Sequence, residues 1–382
     1  MMKNPNPQPG ITTKALHTGY VPTDEHGAVI PPLYLSTTFS FGNDRSYEYS
    51  RSGNPTREVL EATLAHLDDA AYALAYSSGS ATLANVSALL EKGEEMLFSA
   101  DAYGGTYRYI TQVLRKQEGT HKIVDFTDLK AVEKILQTGN IKLLWVETPT
   151  NPLLKVADIA ALAELAHKHH ALLVVDNTFA TPVIQKPLTL GADIVVYSTT
   201  KYLNGHSDSV GGSLAVQDKE LYTKLAFLQN AIGAMLSPFD SWLTLRGLRT
   251  LELRMHQHVT NAQAIADILS ASKVVKQVHY PALFTGEQEA IVKKQMQYPG
   301  GIVSVVFKPN YDVQKFLSKL TYFPLAESLG GVESLIDHPA SMTHAAIPKE
   351  EREKIGLDDG LLRISVGIEN TEDLVHDIQN AL

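Results

Sequence analysis

The sequence predicts an α/β domain with a mostly parallel sheet, followed by a smaller α+β domain. Up to about residue 216, short apolar segments rich in β-branched residues alternate with segments of helical period. This pattern is typical of parallel strands that are covered by helices on both faces. From about residue 250 onward the strict alternation stops, which indicates a second unit. A chain of 382 residues is also long enough for one large and one smaller core.

The α/β domain is predicted to begin with a helix at Asn54, because asparagine suits the N-cap and Pro55 suits the first helical position. Its strands are predicted at residues 71–76, 95–99, 121–126, 141–147, 172–176, 193–198 and 212–216, with helices at 79–90, 107–117, 129–138 and 159–170. A long helix over residues 238–269 is predicted to link the domains. The smaller domain follows, with strands at 274–280, 302–307 and 361–366 and a last helix at 372–381.

We therefore divide the chain into an N-terminal extended arm (1–53), an α/β domain (54–245) and a C-terminal α+β domain (246–382). The arm is rich in proline and aromatic residues and shows little periodicity. Because so apolar a segment has to be buried somewhere, we expect it to contact a neighbouring subunit.

Composition and charge exclude several classes of function. The net charge of -9 disfavours binding to nucleic acid or to an anionic membrane. The absence of cysteine excludes disulfides, thiolate metal sites and a cysteine nucleophile. Residues 1–10 are polar and lack the apolar core of a signal peptide, and no apolar run approaches the ~18 residues that cross a bilayer. We expect a soluble cytoplasmic protein.

Polar residues follow the predicted strands at the edge where open α/β sheets bind ligands. Asp176 ends one strand, and Ser198, Thr200 and Lys201 follow another. Between residues 76 and 82, small residues join a strand to a helix and leave backbone N–H groups for a phosphate. Each feature alone has a structural explanation, namely a solvated lysine, a turn or a helix cap. Together they supply what pyridoxal 5'-phosphate needs: a phosphate seat, a carboxylate for the ring nitrogen and a lysine for the aldehyde.

Two other kinds of site are disfavoured. The dinucleotide fingerprint G-x-G-x-x-G is absent, which argues against the rival class, a dinucleotide-binding oxidoreductase. His167, His169 and His170 close a predicted helix, where histidine is favourable, so we predict no metal site there.

Many ordered motifs resemble the Cys/Met-metabolism family of pyridoxal-phosphate enzymes, over nearly the full length of the chain. They are YSRSGNPTR at 49–57, SSG at 77–79, YGGT at 103–106, ETPTNP at 147–152, DNT at 176–178, the segment 198–208, LAESLGG at 325–331 and LRISVG at 362–367. The resemblance implies the fold-type I transferase-like architecture of these enzymes. Within the family, the resemblance is strongest to the cystathionine γ-lyases.

The resemblance also implies roles for individual residues. Lys201 would hold the cofactor as an imine and move protons, and Tyr103 would stack on the ring and assist proton transfer. The other implied cofactor contacts are Tyr49, Arg51, Gly79, Ser80, Asp176, Thr178, Ser198 and Thr200. Of these, Tyr49 and Arg51 would reach the phosphate of a neighbouring subunit, which implies a homotetramer built as a dimer of dimers with shared active sites.

The implied substrates are sulfur amino acids. Arg363 would clamp the α-carboxylate, with Asn151 and Ser328 beside it. The charged residues Glu48, Arg108 and Glu327 would face the distal end of cystathionine, although ordinary surface ion pairs are an alternative for them.

The predicted reaction is α,γ-elimination of L-cystathionine to L-cysteine, 2-oxobutanoate and ammonia, with hydrogen sulfide release as a side reaction. Cystathionine γ-synthase and cystathionine β-lyase remain alternatives. Gly105 stands where methionine γ-lyases carry cysteine, which disfavours that activity. Ser80 replaces the methionine, and Phe179 the tyrosine, of many relatives.

Overall fold

The computed structural model describes residues 9–22, 26–43, 47–114, 120–343, 349–354 and 356–382. Within these residues the larger sheet has seven strands: β1 (Tyr72–Tyr76), β2 (Glu95–Ser99), β3 (Thr120–Val124), β4 (Ile141–Glu147), β5 (Leu172–Asp176), β6 (Ile194–Tyr197) and β7 (Gly212–Val216). Their order is β1-β7-β6-β5-β4-β2-β3. The five strands from β6 to β3 are parallel, whereas β7 runs antiparallel to both of its neighbours. The predicted mostly parallel sheet is confirmed.

Alternate residues of the central strands point to opposite faces, and both faces are covered. Leu144 and Leu173 belong to one buried cluster with residues of the helices Leu129–Leu136 and Ile159–Lys168, whereas Trp145 and Val174 belong to another that includes residues of the helix Gly79–Ser87. The helices of this part of the chain are α1 (Ile11–His17), α2 (Pro55–Leu67), α3 (Gly79–Ser87), α4 (Gly104–Arg108), α5 (Leu129–Leu136), α6 (Ile159–Lys168), α7 (Thr181–Ile184) and α8 (Lys219–Ile232). Both faces of these strands are buried, which explains why nearly all of their residues are apolar.

The smaller sheet is antiparallel and, in the described residues, has four strands: β8 (Val275–His279), β9 (Ile302–Phe307), β10 (Leu335–Asp337) and β11 (Leu361–Ser365). Their order is β10-β11-β9-β8. The accompanying helices are α9 (Pro238–Leu248), α10 (Leu251–Ala271), α11 (Gly286–Gln295), α12 (Val313–Lys319), α13 (Lys349–Lys354) and α14 (Thr371–Ala381). A buried cluster between this sheet, α10 and α14 forms the second core.

The prediction of a single helix over residues 238–269 is wrong, because the structure has two helices there, α9 and α10. The chain leaves α9 after Leu248, and the N–H of Thr250 donates to the carbonyl of Gly247 at 3.2 Å before α10 begins. Gly247 lies against Asn204, whose carbonyl oxygen is 2.1 Å from the place where a Cβ on Gly247 would be. The break thus lies at a tertiary contact, and the hydrophobic period of the sequence gives no sign of it.

The predicted helix over residues 107–117 begins earlier, at Gly104, and becomes a π-helical turn over Tyr109–Val113. Its predicted end falls in residues 115–119, outside the described residues. Residues 1–8, part of the segment expected not to be a signal peptide, also lie outside them. The domain boundaries at 53/54 and 245/246 stay a prediction. No helix among the described residues is long and apolar enough to cross a membrane.

Candidate active site

A cavity of about 320 Å³ opens at the carboxyl ends of β4, β5 and β6, where β11 of the smaller sheet closes one side. It brings together most of the residues that the sequence singles out, although they come from widely separated segments. These are Gly79, Ser80, Tyr103, Asn151, Asp176, Thr178, Ser198, Thr200, Lys201, Glu327, Ser328 and Arg363. Phe179 also lines it.

The N-terminus of α3 forms one end of the cavity. The side chain of Ser78 caps this helix by accepting from the N–H of Ala81 at 3.0 Å. Among the described residues, the preceding N–H groups of Gly79 and Ser80 have no acceptor. A Cβ on Gly79 would lie 3.0 Å from the Cβ of Ser198, so glycine lets the helix start approach that serine closely. The result is a positively polarised seat for an anion such as a phosphate.

Asp176 ends β5 and lines the middle of the cavity. Its Oδ1 accepts from the N–H of Thr178 at 3.1 Å and from the Thr178 hydroxyl at 2.6 Å. Burial raises the pKa of Asp176, and the two Thr178 bonds oppose that rise. Because both bonds go to Oδ1, the carboxylate is held at one oxygen and has the other for a ligand.

Lys201 follows β6 and its amine donates to the Oγ of Ser328 at 2.8 Å. Burial, with the positive charge of Arg363 adding to it, lowers the pKa of Lys201 to about 8. An amine of this basicity is partly unprotonated near neutral pH, which suits both a nucleophile and a proton acceptor.

A buried arginine fixes the turn that carries Lys201. Arg254 of α10 donates from Nη1 to the carbonyl of Tyr202 at 2.8 Å, and from Nη2 to the carbonyl of Gly247 at 2.8 Å and, at 3.5 Å, to that of Leu203. Burial lowers the pKa of Arg254 to about 10. The sequence pattern does not indicate this residue, since only the bend between α9 and α10 brings it to the turn.

Arg363 lies on β11 and is only 2% exposed. Its Nη1 donates to Oδ1 of Asn151 at 2.8 Å, and its Nη2 donates to the carbonyl of Ser328 at 2.9 Å. Nη2 also forms an ion pair with Asp337, which lies opposite Arg363 on β10. The buried Nε has no acceptor among the described residues, so the guanidinium retains a donor for a carboxylate.

Asp337 is a site residue that no pattern in the sequence indicates. Burial raises its pKa to about 6, and the charge of Arg363 opposes that rise. The strand that carries it has three residues and no alternation by which to recognise it. Only the pairing of β10 with β11 shows that this carboxylate is the counter-ion of Arg363.

Glu147 also lines the cavity. It is the last residue of the strand predicted at 141–147, and the family resemblance gives it no role. Its Oε2 accepts from the N–H of Tyr103 at 3.0 Å and its Oε1 accepts from the N–H of Asn151 at 2.9 Å. Burial raises the pKa of Glu147 well above its usual range, and the neighbouring Asp176 adds to the rise.

Four of the predicted site residues do not line the cavity of this chain: Glu48, Tyr49, Arg51 and Arg108. All four are exposed. The Arg51 guanidinium lies 5.7 Å from the centre of the Tyr49 ring. Arg57 holds this segment by donating to the carbonyl of Ser50 at 2.8 Å and to that of Arg51 at 3.3 Å. Residues 47–53 of the arm thus lie on the chain's own surface, with the side chains of Glu48, Tyr49 and Arg51 exposed.

The histidines at the end of α6 make local contacts. His167 pairs with Asp193 at 3.0 Å. Within the described residues there is no group of three or more His, Cys, Asp and Glu side chains that could hold a metal ion.

A weakly basic lysine, a buried carboxylate and a polarised helix start around one cavity of an α/β sheet define a class of protein, the pyridoxal-phosphate enzymes. Comparison with known sequences gives the family. Over residues 12–382 the chain matches the pattern described as Cys/Met metabolism PLP-dependent enzyme, and it belongs to that family. The structure fits the cofactor: Gly79 and Ser80 have N–H groups for its phosphate, Asp176 has an oxygen for its ring nitrogen, and Lys201 has an amine for its aldehyde.

Named relatives differ in the reaction that their names state. A cystathionine beta-lyase of Coxiella burnetii is 48% identical, covering 100% of both chains. A cystathionine gamma-lyase of Dictyostelium discoideum is 50% identical, covering 97% of both. The crystal structure of a cystathionine gamma synthase from Xanthomonas oryzae pv. oryzae in complex with cystathionine has a TM-score of 0.94 and 45% identity, covering 97% of both chains.

Proposed function

We propose that this enzyme catalyses the α,γ-elimination of L-cystathionine, giving L-cysteine, 2-oxobutanoate and ammonia with the uptake of one water. One relationship carries the proposal. The segment Glu327-Ser328 presents an acidic side chain to the cavity, a hydroxyl to the Lys201 amine and a carbonyl to Arg363. The proposed proton acceptor Lys201 and the proposed carboxylate-binding Arg363 therefore both contact Ser328, next to the negative charge of Glu327.

The cofactor would be held at three places: its phosphate, its ring nitrogen and its aldehyde, the last by the amine of Lys201. The N–H groups of Gly79 and Ser80, with Ser198 and Thr200, would bind its phosphate, and Asp176 would bind its ring nitrogen. The bound cofactor supplies an electron sink next to the Cα of the substrate. Thr178 keeps Asp176 oriented through its two hydrogen bonds.

The substrate α-carboxylate would bind Arg363. The guanidinium is already oriented by Asn151, the Ser328 carbonyl and Asp337, so little conformational entropy is lost on binding. Because Asp337 partly neutralises Arg363, the site tolerates this buried cation before the substrate arrives.

Lys201 would act as the base. Elimination at Cγ requires loss of a proton from Cα and then from Cβ, and one amine on a flexible side chain can reach neighbouring carbons in turn. A pKa of about 8 leaves a usable fraction of the amine unprotonated near neutral pH. Tyr103, which is 46% exposed at the cavity, would stack on the cofactor and assist proton transfer to the departing cysteine sulfur.

Two related reactions use the same residues. Release of a thiolate from Cβ needs only the first proton transfer, so β-elimination, including hydrogen sulfide release from cysteine, is proposed as a side activity. The Coxiella burnetii relative is named for the β-lyase reaction and the Xanthomonas oryzae structure for the γ-synthase reaction, which makes these the alternatives.

The complete site is proposed to include a second copy of the chain. Tyr49 and Arg51 are exposed and outside the cavity, yet they match the family motif for contacts to the phosphate of a neighbouring subunit. The arm around them exposes large apolar side chains, with Phe41 at 88% and Val29 at 78%. A homotetramer built as a dimer of dimers would cover this surface and bring Glu48 and Arg108 to the distal end of a cavity.

The deciding experiment is product analysis with purified holoenzyme and L-cystathionine. Formation of 2-oxobutanoate with cysteine supports the proposal, whereas pyruvate with homocysteine makes the enzyme a β-lyase. Lys201→Ala should lose both turnover and the visible absorption band of the lysine-bound cofactor. An unchanged spectrum in that variant would refute the role of Lys201.

A further inference from the structure

One buried carboxylate bridges two segments of the cavity wall that the proposed mechanism uses separately. Glu147, at the end of β4, is 5% exposed. One of its oxygens accepts from the N–H of Tyr103 at 3.0 Å, and the other accepts from the N–H of Asn151 at 2.9 Å. Glu147 itself is fixed at its backbone, where its N–H donates to Oγ of Ser99 at 3.2 Å.

The first of these segments determines where the Tyr103 ring lies. Tyr103 is the residue before α4, and its ring folds back over Gly105, where a Cβ would lie only 2.4 Å from a ring carbon. The direction of the ring therefore follows the backbone at residues 103–105. The Glu147 bond at the Tyr103 N–H holds that backbone against the end of β4.

The second segment determines where Arg363 lies. Asn151 is 3% exposed, and its side-chain oxygen accepts from Nη1 of Arg363 at 2.8 Å. A shift of the Asn151 backbone would therefore move one of the groups that orient the guanidinium. The Glu147 bond at the Asn151 N–H fixes this backbone to the same carboxylate.

Only a carboxylate satisfies both N–H groups. It has an acceptor oxygen on each side, whereas an amide presents one acceptor and one donor, and a hydroxyl is too short to span the two segments. Placing a carboxylate here is costly, since Glu147 is buried and lies directly opposite Asp176 in the register of β4 and β5. Burial and the charge of Asp176 both raise the pKa of Glu147, as expected for two neighbouring buried acids. A feature that costs stability at this position suggests a functional reason.

We propose that Glu147 is a positioning residue that sets the ring-stacking Tyr103 and the carboxylate-binding pair Asn151–Arg363 at a fixed distance from each other. The inference rests on the roles proposed above for Tyr103 and Arg363. It makes the spacing between cofactor ring and substrate carboxylate depend on one side chain.

The test uses two variants of the holoenzyme and of its apo form. In Glu147→Gln the amide accepts from one N–H and opposes the other, so at least one segment moves. In Glu147→Asp the carboxylate remains but is one methylene shorter, so both bonds weaken together. Cofactor binding is measured by titrating apoenzyme with pyridoxal 5'-phosphate and following the quenching of tryptophan fluorescence, since Trp145, one of the two tryptophans, lines the cavity. The visible circular dichroism of the bound cofactor reports the orientation of its ring.

For Glu147→Asp we expect an increase of about tenfold in both the cofactor dissociation constant and the KM for cystathionine, with altered circular dichroism. For Glu147→Gln we expect at least one of these two constants to rise by a similar factor. If Glu147→Asp changes only one of the constants, or if Glu147→Gln changes neither, the inference is overturned.

Asp377→Asn is the matched control. Asp377 of α14 is 7% exposed and accepts from the N–H groups of Thr321 and Tyr322, and none of these three residues lines the cavity. Like Glu147→Gln, Asp377→Asn replaces a buried carboxylate that accepts from two N–H groups with an amide, and it should leave KM and the dichroism unchanged whatever its effect on the thermal midpoint. A similar change of KM in Asp377→Asn would reduce Glu147 to a structural residue and overturn the inference. Arg363→Lys distinguishes failure of the proposed carboxylate site from failure of the Glu147 inference. If Arg363→Lys leaves KM unchanged, Arg363 does not bind the substrate carboxylate, whatever the Glu147 variants show.

Discussion

The hydroxyl of Ser328 accepts a hydrogen bond from the Lys201 amine at 2.8 Å, while the carbonyl of the same residue accepts one from Arg363 at 2.9 Å. Ser328 has a φ of 99°, in the left-handed region that residues with a Cβ rarely adopt. This conformation lets the two oxygens of one residue serve different groups. Strain of this kind persists where the surrounding structure enforces it, and the contacts with Lys201 and Arg363 both contribute here.

Ser328→Ala tests the link to Lys201. Alanine retains the Cβ and the carbonyl, so Arg363 keeps its contact and only the hydroxyl is lost. We expect kcat to fall by about tenfold with little change in KM, because the base is less well placed while the clamp is intact. Steady-state kinetics with cystathionine measure both constants. A rise in KM at constant kcat would show that Ser328 serves the clamp instead.

Arg363→Lys tests the clamp. Lysine supplies one point of charge in place of a planar fork, so it cannot keep Asn151, the Ser328 carbonyl and a substrate carboxylate together. We expect KM to rise by about 10- to 100-fold and the absorption of the bound cofactor to stay unchanged. An exposed substitution on another element, Arg246→Lys of α9, is the control and should leave KM as it is.

Arg254→Lys tests the turn after Lys201. The arginine satisfies the carbonyls of Tyr202 and Gly247 together, and a lysine amine reaches them less well. We expect the variant to lose about 1 to 3 kcal/mol of stability in urea unfolding. The cofactor should also dissociate faster, because the lysine that holds it is less fixed. A loss of stability without faster dissociation of the cofactor would show that Arg254 stabilises the fold but does not position Lys201.

Asp68→Asn tests a pH dependence of stability. Asp68 accepts from the hydroxyl of Tyr197 at 2.5 Å, and burial raises its pKa from 3.8 to about 7. Between these two values the folded state binds a proton that the unfolded state releases, so the free energy of unfolding falls as pH rises from about 4 to about 7.

Asparagine retains the acceptor for Tyr197 and cannot ionise. The decrease of the free energy of unfolding between about pH 4 and pH 7 should therefore be smaller in Asp68→Asn, by up to about 4 kcal/mol. The variant should be more stable than the unsubstituted enzyme at pH 8. Urea unfolding at a series of pH values measures this, with the exposed Asp373→Asn as control. The variant should still lose some stability as pH rises, because of groups such as Glu61. Burial raises the pKa of Glu61 to about 7 as well.

The parts of the site that the sequence predicts are those set by local rules. Asp176 and Lys201 follow apolar strands, and parallel strands end at one edge of the sheet, so their meeting follows from topology alone. The capped helix start at Gly79 is likewise readable from a few neighbouring residues. For these positions the sequence pattern and the structure agree.

The parts it could not predict depend on contacts between distant segments. Asp337 reaches Arg363 only through the pairing of a three-residue strand, and Arg254 reaches the Lys201 turn only because Gly247 lies against Asn204. Glu147 was visible as a strand-end acid, but its two partners come from different loops. Glu48 and Arg108 lie outside the cavity of one chain, so their roles depend on an assembly that the sequence implies only through its family resemblance.

Glu327→Gln tests the distal end of the substrate site. Glu327 is exposed at the cavity, and its charge acts on Lys201, so it lies within electrostatic reach of the reacting centre. Cystathionine carries a second ammonium group at its far end, whereas cysteine and homocysteine do not. We expect kcat/KM for cystathionine to fall by about three- to tenfold and that for the smaller thiols to change little, since an exposed ion pair contributes modestly. Glu372→Gln on α14 is an exposed control of the same chemistry. Equal losses on all three substrates would mean that Glu327 acts through Lys201 and not on the distal charge, and the γ-lyase proposal would lose its support at that end of the cavity.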